Sequence, residues 1–174
     1  MIETKNLEEL LNEGKIELFK HRRELLISPT DSGRLNLIVS QAHLFNNILY
    51  LCDSRKSKKQ IEAELAKTNV TNITVLTYYV YSQKQRWLPN EKEDKCTKNF
   101  DLVVCDNIHH IFKCRERATY LAYFIWFFFA DDTVFSAPDR LQILMMTDEP
   151  QYIEEFQQQV SWVNSYHTIE LKEN

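Results

Sequence analysis

The chain has 174 residues, 44% of them hydrophobic and 26% charged, with a formal net charge of -4. That length suits one ordinary domain with a buried core, and the composition excludes a disordered or fibrous chain. The acidic balance also excludes nucleic-acid binding by the surface as a whole, so any such binding requires a local basic patch.

In chain order, Leu7, Leu10 and Leu11 have helical spacing, with Asn6 as N-cap and Gly14 as terminator. The basic stretch His21-Arg22-Arg23 leads into a strand over 24–27, followed by a loop over 28–33. Arg34 opens a helix carried by Leu35, Leu37, Ile38, Ala42 and Phe45. Asn46-Asn47 turns into a strand over 48–52. Asp53-Ser54 caps the next helix, whose buried side is Ile61, Leu65 and Ala66. A third strand covers 72–77, and the aromatic segment 78–87 reads as helical. After a polar connection over 90–99, the apolar run Leu102–Cys105 ends at Asp106 and reads as a central strand buried on both faces. Residues 115–129 read as a long helix ended by Asp131-Asp132. A fifth strand covers 141–146. Pro150 starts a helix with Tyr152, Ile153, Phe156 and Val160 as its apolar stripe, and 166–171 alternates as an edge strand. Strands alternating with helices predict a single α/β domain, a mostly parallel sheet with helices on both faces.

The cysteines Cys52, Cys96, Cys105 and Cys114 contain no CxxC pair, which speaks against zinc, and Cys52 and Cys105 suit buried thiols. The apolar run 120–130 is about half the ~20 residues of a bilayer span and suits a buried helix. No signal peptide is visible in the polar, acidic N-terminus. Together these predict a cytoplasmic protein with no membrane association.

The loop Ser28-Pro-Thr-Asp-Ser-Gly-Arg-Leu35 lies between a strand and a helix, where a phosphate-binding loop belongs. Together with the strand ending Asp106-Asn107-Ile108-His109, it resembles the first motor domain of the superfamily 2 DEAD/DEAH-type helicases. Four segments match in order: 28–35 resembles the Walker A loop, 49–60 the strand and helix start that touch the nucleic-acid backbone, 101–110 the D-E-x-H strand, and 143–150 the strand ending S/T-A-T-P. The resemblance implies a RecA-like, P-loop-NTPase-type fold over residues 1–174, without the second motor domain. It also implies phosphate contacts at Ser32, Gly33 and Arg34, and nucleic-acid contacts at Arg55, Lys56, Lys58 and Lys59.

The departures from that pattern bear on chemistry. Arg34 and Leu35 replace the lysine and the magnesium-holding hydroxyl, and Asp31 puts a carboxylate where phosphate would approach. Asn107 replaces the glutamate that polarises water, and an amide cannot act as that base. Asp148 and Glu149 replace the small residue and threonine of the last motif. The resemblance therefore implies a helicase-like fold without ATPase or helicase activity and with no cofactor.

Two function classes follow. The first is a non-hydrolysing domain that binds nucleic acid or a nucleoprotein complex. A small, solitary domain of this kind also suits a phage or mobile-element protein that interferes with host nucleic-acid machinery, such as a CRISPR effector. The second is a metal-dependent nuclease, acting on RNA, that reuses the cleft through Asp106, His109, Asp148 and Glu149. There Asp106 would be a ligand for Mg2+, since converging carboxylates suit metal-assisted phosphodiester chemistry.

Overall fold

The computed structural model describes residues 6–86, 100–113, 141–159 and 166–169. Six strands form one sheet: β1 (Arg23–Ile27), β2 (Ile48–Cys52), β3 (Ile73–Thr77), β4 (Leu102–Cys105), β5 (Gln142–Thr147) and β6 (His167–Ile169). Their order is β3-β2-β4-β5-β1-β6, and every neighbouring pair is parallel. The run ending at Asp106 is thus an interior strand, with Val103 opposite Leu49 on one side and Ile143 on the other.

Successive side chains of a strand point to opposite faces. Leu26, Tyr50, Val104 and Leu144 accordingly join one core, covered by α1 (Leu7–Asn12), α2 (Arg34–Gln41) and α3 (Arg55–Leu65). Leu25, Leu49, Val103 and Met145 join the other, covered by α4 (Tyr78–Arg86), α5 (His109–Lys113) and α6 (Gln151–Gln159). The fold class is the α/β architecture that the alternation predicts, one parallel sheet between two helical layers.

The local signals act as read. Asn6 Oδ1 accepts from Glu8 N–H at 3.2 Å, Gly14 follows α1 at φ +70, and Ser54 Oγ accepts from Ser57 N–H at 3.1 Å. Two details differ. β1 begins at Arg23, which is buried there. The second helix gives way to a 3-10 turn, Ala42–Leu44, where the Asn72 amide donates to the carbonyls of Ala42 and Phe45. At the amino end of β1 the buried Glu24 carboxylate accepts from the amides of Phe19, Lys20 and His21 at 2.7, 2.7 and 2.9 Å, which satisfies its charge.

The expected helix over 115–129 with its apolar run, Asp131-Asp132, Trp87, Cys96, Cys114 and the polar connection lie outside the described residues. So do the side chain of Phe156 and Val160. Among the described residues no helix is long and apolar enough to cross a membrane.

Candidate functional site

β2 and β4 are neighbours whose outgoing connections run opposite ways, to β3 on one side and β5 on the other. In parallel sheets ligands bind beyond the carboxyl ends of the strands at such a switch. The residues picked out by sequence all follow the carboxyl ends of β1, β2, β4 and β5.

The loop over 28–33 leaves β1 with Ser28 N–H donating to the Thr147 carbonyl at 2.9 Å, which ties it to the end of β5. The Ser32 hydroxyl donates to the Pro29 carbonyl at 2.6 Å, and Leu7 N–H donates to the Ser32 carbonyl at 3.0 Å, so α1 packs on the loop. Gly33 has φ +82, and a Cβ there would stand 2.6 Å from Asn6 Oδ1. The positive φ favours glycine, and a Cβ would in addition make the Asn6 side chain move aside.

Arg34 is the first residue of α2, yet it turns inward and is 3% exposed. Its Nε donates to Ser28 Oγ at 3.1 Å, and Nη1 to Asp106 Oδ1 at 2.9 Å and Asn107 Oδ1 at 2.7 Å. Nη2 donates to the Ser28 carbonyl. The other oxygen of Asp106 accepts from the Tyr50 hydroxyl at 2.9 Å, and the Asp106 carbonyl accepts from Tyr78 at 2.8 Å. Burial, reinforced by the Asp106 charge, pushes both phenols well above their ordinary pKa, so they act as neutral donors. The arginine expected at the phosphate loop and the aspartate expected as a metal ligand are therefore brought together, each satisfied by the other and by neighbouring groups.

His109, the first residue of α5, faces the end of β5. Its Nδ1 is 2.9 Å from Thr147 Oγ1 and 3.3 Å from Asp148 Oδ1, and its Nε2 is 3.5 Å from Glu149 Oε1. Burial lowers its pKa from 6.5, partly opposed by the charges of Asp148 and Glu149. Glu149 also pairs with Lys113, whose ammonium lies 4.9 Å above the Tyr152 ring. Of the four residues assigned to the nuclease reading, His109, Asp148 and Glu149 converge, each offering a ligand atom within 4.8 Å of the others, and Asp106 is not of that group. Thr30 Oγ1 donates to Asp148 Oδ2 at 3.1 Å, at the rim of an open groove of about 600 Å³ lined by Ile27, Ser28, Pro29, Thr30, Asp31 and Asp148.

The basic residues lie on the first turns of α3, beyond the end of β2. Arg55, Lys56 and Lys59 are exposed, while Lys58 is partly covered and pairs with Glu62 at 3.4 Å. No acidic side chain occupies that first turn. In the aromatic segment, Tyr78 and Tyr81 are buried, and Tyr79 is exposed. In the other basic stretch, Arg23 is buried and His21 stacks on His167, ring centroids 4.0 Å apart.

Sequence reasoning missed Tyr50, Tyr78, Thr147 and Lys113. A usable signal existed for the tyrosines: a phenol inside an apolar strand or on a buried helix needs a hydrogen-bond partner.

No protein-family model matches the chain, and no curated protein matches it. Among solved structures, the chain is similar to a hypothetical ATP-dependent RNA helicase from Sulfolobus tokodaii, at 12% identity and a TM-score of 0.49. The likeness covers 97% of this chain and 56% of that one, so the chain spans little more than half the helicase's length.

Proposed function

We propose that this chain is a helicase-like domain that binds nucleic acid without hydrolysing ATP, and that the nucleic acid lies along the first turns of α3. The observation that carries the proposal is the exposed set Arg55, Lys56 and Lys59, with no first-turn acid to neutralise it. Positive charge at a helix N-terminus opposes the macrodipole, so helix stability does not explain it. Phosphates would, and the same element touches the backbone in the helicases that the motifs resemble. The absence of ATP hydrolysis in this reading is supported by Arg34, whose guanidinium is engaged by Ser28, Asp106 and Asn107 and not free for a phosphate.

The test incubates labelled single-stranded RNA with the protein and magnesium, with and without EDTA, and runs native and denaturing gels in parallel. The expected result is a shifted, intact RNA band that is indifferent to EDTA. Its affinity should fall with salt at a slope of about 2, roughly 0.7 for each of three phosphate contacts. Replacing Arg55, Lys56 and Lys59 together by Ala should abolish the shift. RNA that is shortened unless EDTA is present would replace this reading with the metal-dependent nuclease. Intact, unshifted RNA would direct the search to a nucleoprotein complex, including the defence complexes that a phage protein would target.

A further inference from the structure

We propose that His109, Asp148 and Glu149 form a binding site for a divalent first-row transition ion such as Zn2+ or Mn2+, at the rim of the groove beside the 28–33 loop. The site does not depend on the nucleic-acid reading, and it is not the magnesium position implied by the helicase motifs. That position centres on Asp106, whose two carboxylate oxygens are already engaged by Arg34 and Tyr50.

Three observations support the site. The first is separation. A ligand atom from each residue lies within 4.8 Å of the others, and His109 Nε2, the nitrogen left for an ion, stands 3.5 Å from Glu149 Oε1, while the 3.3 Å contact of Asp148 is with the other nitrogen, Nδ1. Two ligands each ~2.1 Å from a tetrahedral ion stand about 3.4 Å apart. The second is chemistry. One imidazole with two carboxylates is a mixed nitrogen–oxygen set, which suits zinc or manganese better than the all-oxygen shells of calcium or magnesium. The third is support around the ligands. The Thr147 hydroxyl sits 2.9 Å from His109 Nδ1 and holds the ring with Nε2 directed toward Glu149, as outer partners orient metal-binding histidines. Thr30 holds Asp148 in the same manner.

The side chains of Asp148 and Glu149 are 38% and 31% exposed, so an ion enters from solvent without opening the core. Three protein ligands leave coordination positions for water or a phosphate oxygen. Lys113 is the competing cation, because it pairs with the same Glu149 oxygen. An ion would displace its ammonium toward solvent.

The experiment uses the full chain, stripped with EDTA and dialysed free of it, then titrated calorimetrically with Zn2+ and separately with Mn2+. The expected result is one ion per chain. His109→Ala should weaken binding by about 100-fold or more, the scale of losing a ligand or its close support. Lys113→Met should tighten binding several-fold, and His43→Ala, a histidine elsewhere on the surface, should leave it unchanged. A second readout covers failure of the His109 variant to fold: in the unmodified chain, sub-stoichiometric Mn2+ should broaden the imidazole resonances of His109 before those of His21, His43 and His167. Absence of binding at millimolar ion, undiminished binding in a folded His109→Ala chain, or broadening of His109 no greater than that of His21, His43 and His167 would each overturn the assignment.

Discussion

Arg34 and Asp106, 72 residues apart in sequence, form an ion pair in which Nη1 lies 2.9 Å from Oδ1, with the two side chains 2% and 15% exposed. It joins the start of α2 to the end of β4. Two charges so far from water are tolerated because nearly every donor and acceptor is matched, and removing one partner leaves the other charge buried and uncompensated. Arg34→Met should therefore lower the unfolding free energy in urea by about 3–5 kcal/mol. Arg34→Lys should lose less, since it restores the charge but not the planar fork that reaches Ser28, Asp106 and Asn107 together. The double variant Arg34→Met/Asp106→Leu should be more stable than the sum of the single losses predicts. Strict additivity would mean that the pair is not coupled.

Gly33→Ala should destabilise the fold through two separable effects. The left-handed backbone, φ +82, costs a side-chain-bearing residue about 1–3 kcal/mol. The new Cβ would also meet Asn6 Oδ1 at 2.6 Å and push that side chain off its bond to Glu8 N–H. Adding Asn6→Ala should relieve the clash but not the backbone strain, so thermal unfolding should show partial recovery. Full recovery would assign the whole effect to the clash.

Stability should depend on pH through His109. Burial lowers its folded pKa below 6.5, so between those two values the unfolded chain holds more protons than the folded one. Its contribution is therefore complete above pH 6.5 and is lost as pH falls toward the folded pKa. In metal-free protein, urea midpoints measured downward from about pH 7 should fall more steeply for the natural chain than for His109→Gln. Asp148→Asn removes a charge that favours the imidazolium, and should move the His109 titration, followed by NMR, to still lower pH. An upward shift would contradict this account of the site.

The buried thiols should be inert. Burial, with the charges of Asp53 and Asp106, pushes Cys52 up to about 12, and burial with Asp106 pushes Cys105 up as well. The thiolate is the reactive form, so alkylation of Cys52 by iodoacetamide near pH 8 should be about a thousandfold slower than for an ordinary thiol. Mass spectrometry of the two peptides should find both labelled together once urea unfolds the chain. Rapid labelling of Cys52 in the folded protein would show that β2 opens locally.

The sequence by itself determined the elements and the class of fold. Apolar runs such as Ile48–Cys52 and Leu102–Cys105 identify strands buried on both faces, and Asn6, Gly14 and Ser54 mark helix ends through bonds to residues two or three positions away. These signals are local, with a period of two residues for strands and 3.6 for helices, and they survive in a one-dimensional reading. The placement of the candidate residues at the carboxyl ends of parallel strands was legible for the same reason. Which of them meet was not. Arg34 looked like a phosphate ligand, and its partners became visible only when strand order set β1 beside β5 and β5 beside β4. His109 was grouped with Asp106, Asp148 and Glu149, and its ring meets the last two, beside Thr147 across the neighbouring strand, while Asp106 stays with Arg34 and Tyr50. Sequence spacing fixes only the distance along the chain; the pairing of side chains between strand ends is set by register and strand order, which tertiary packing alone decides.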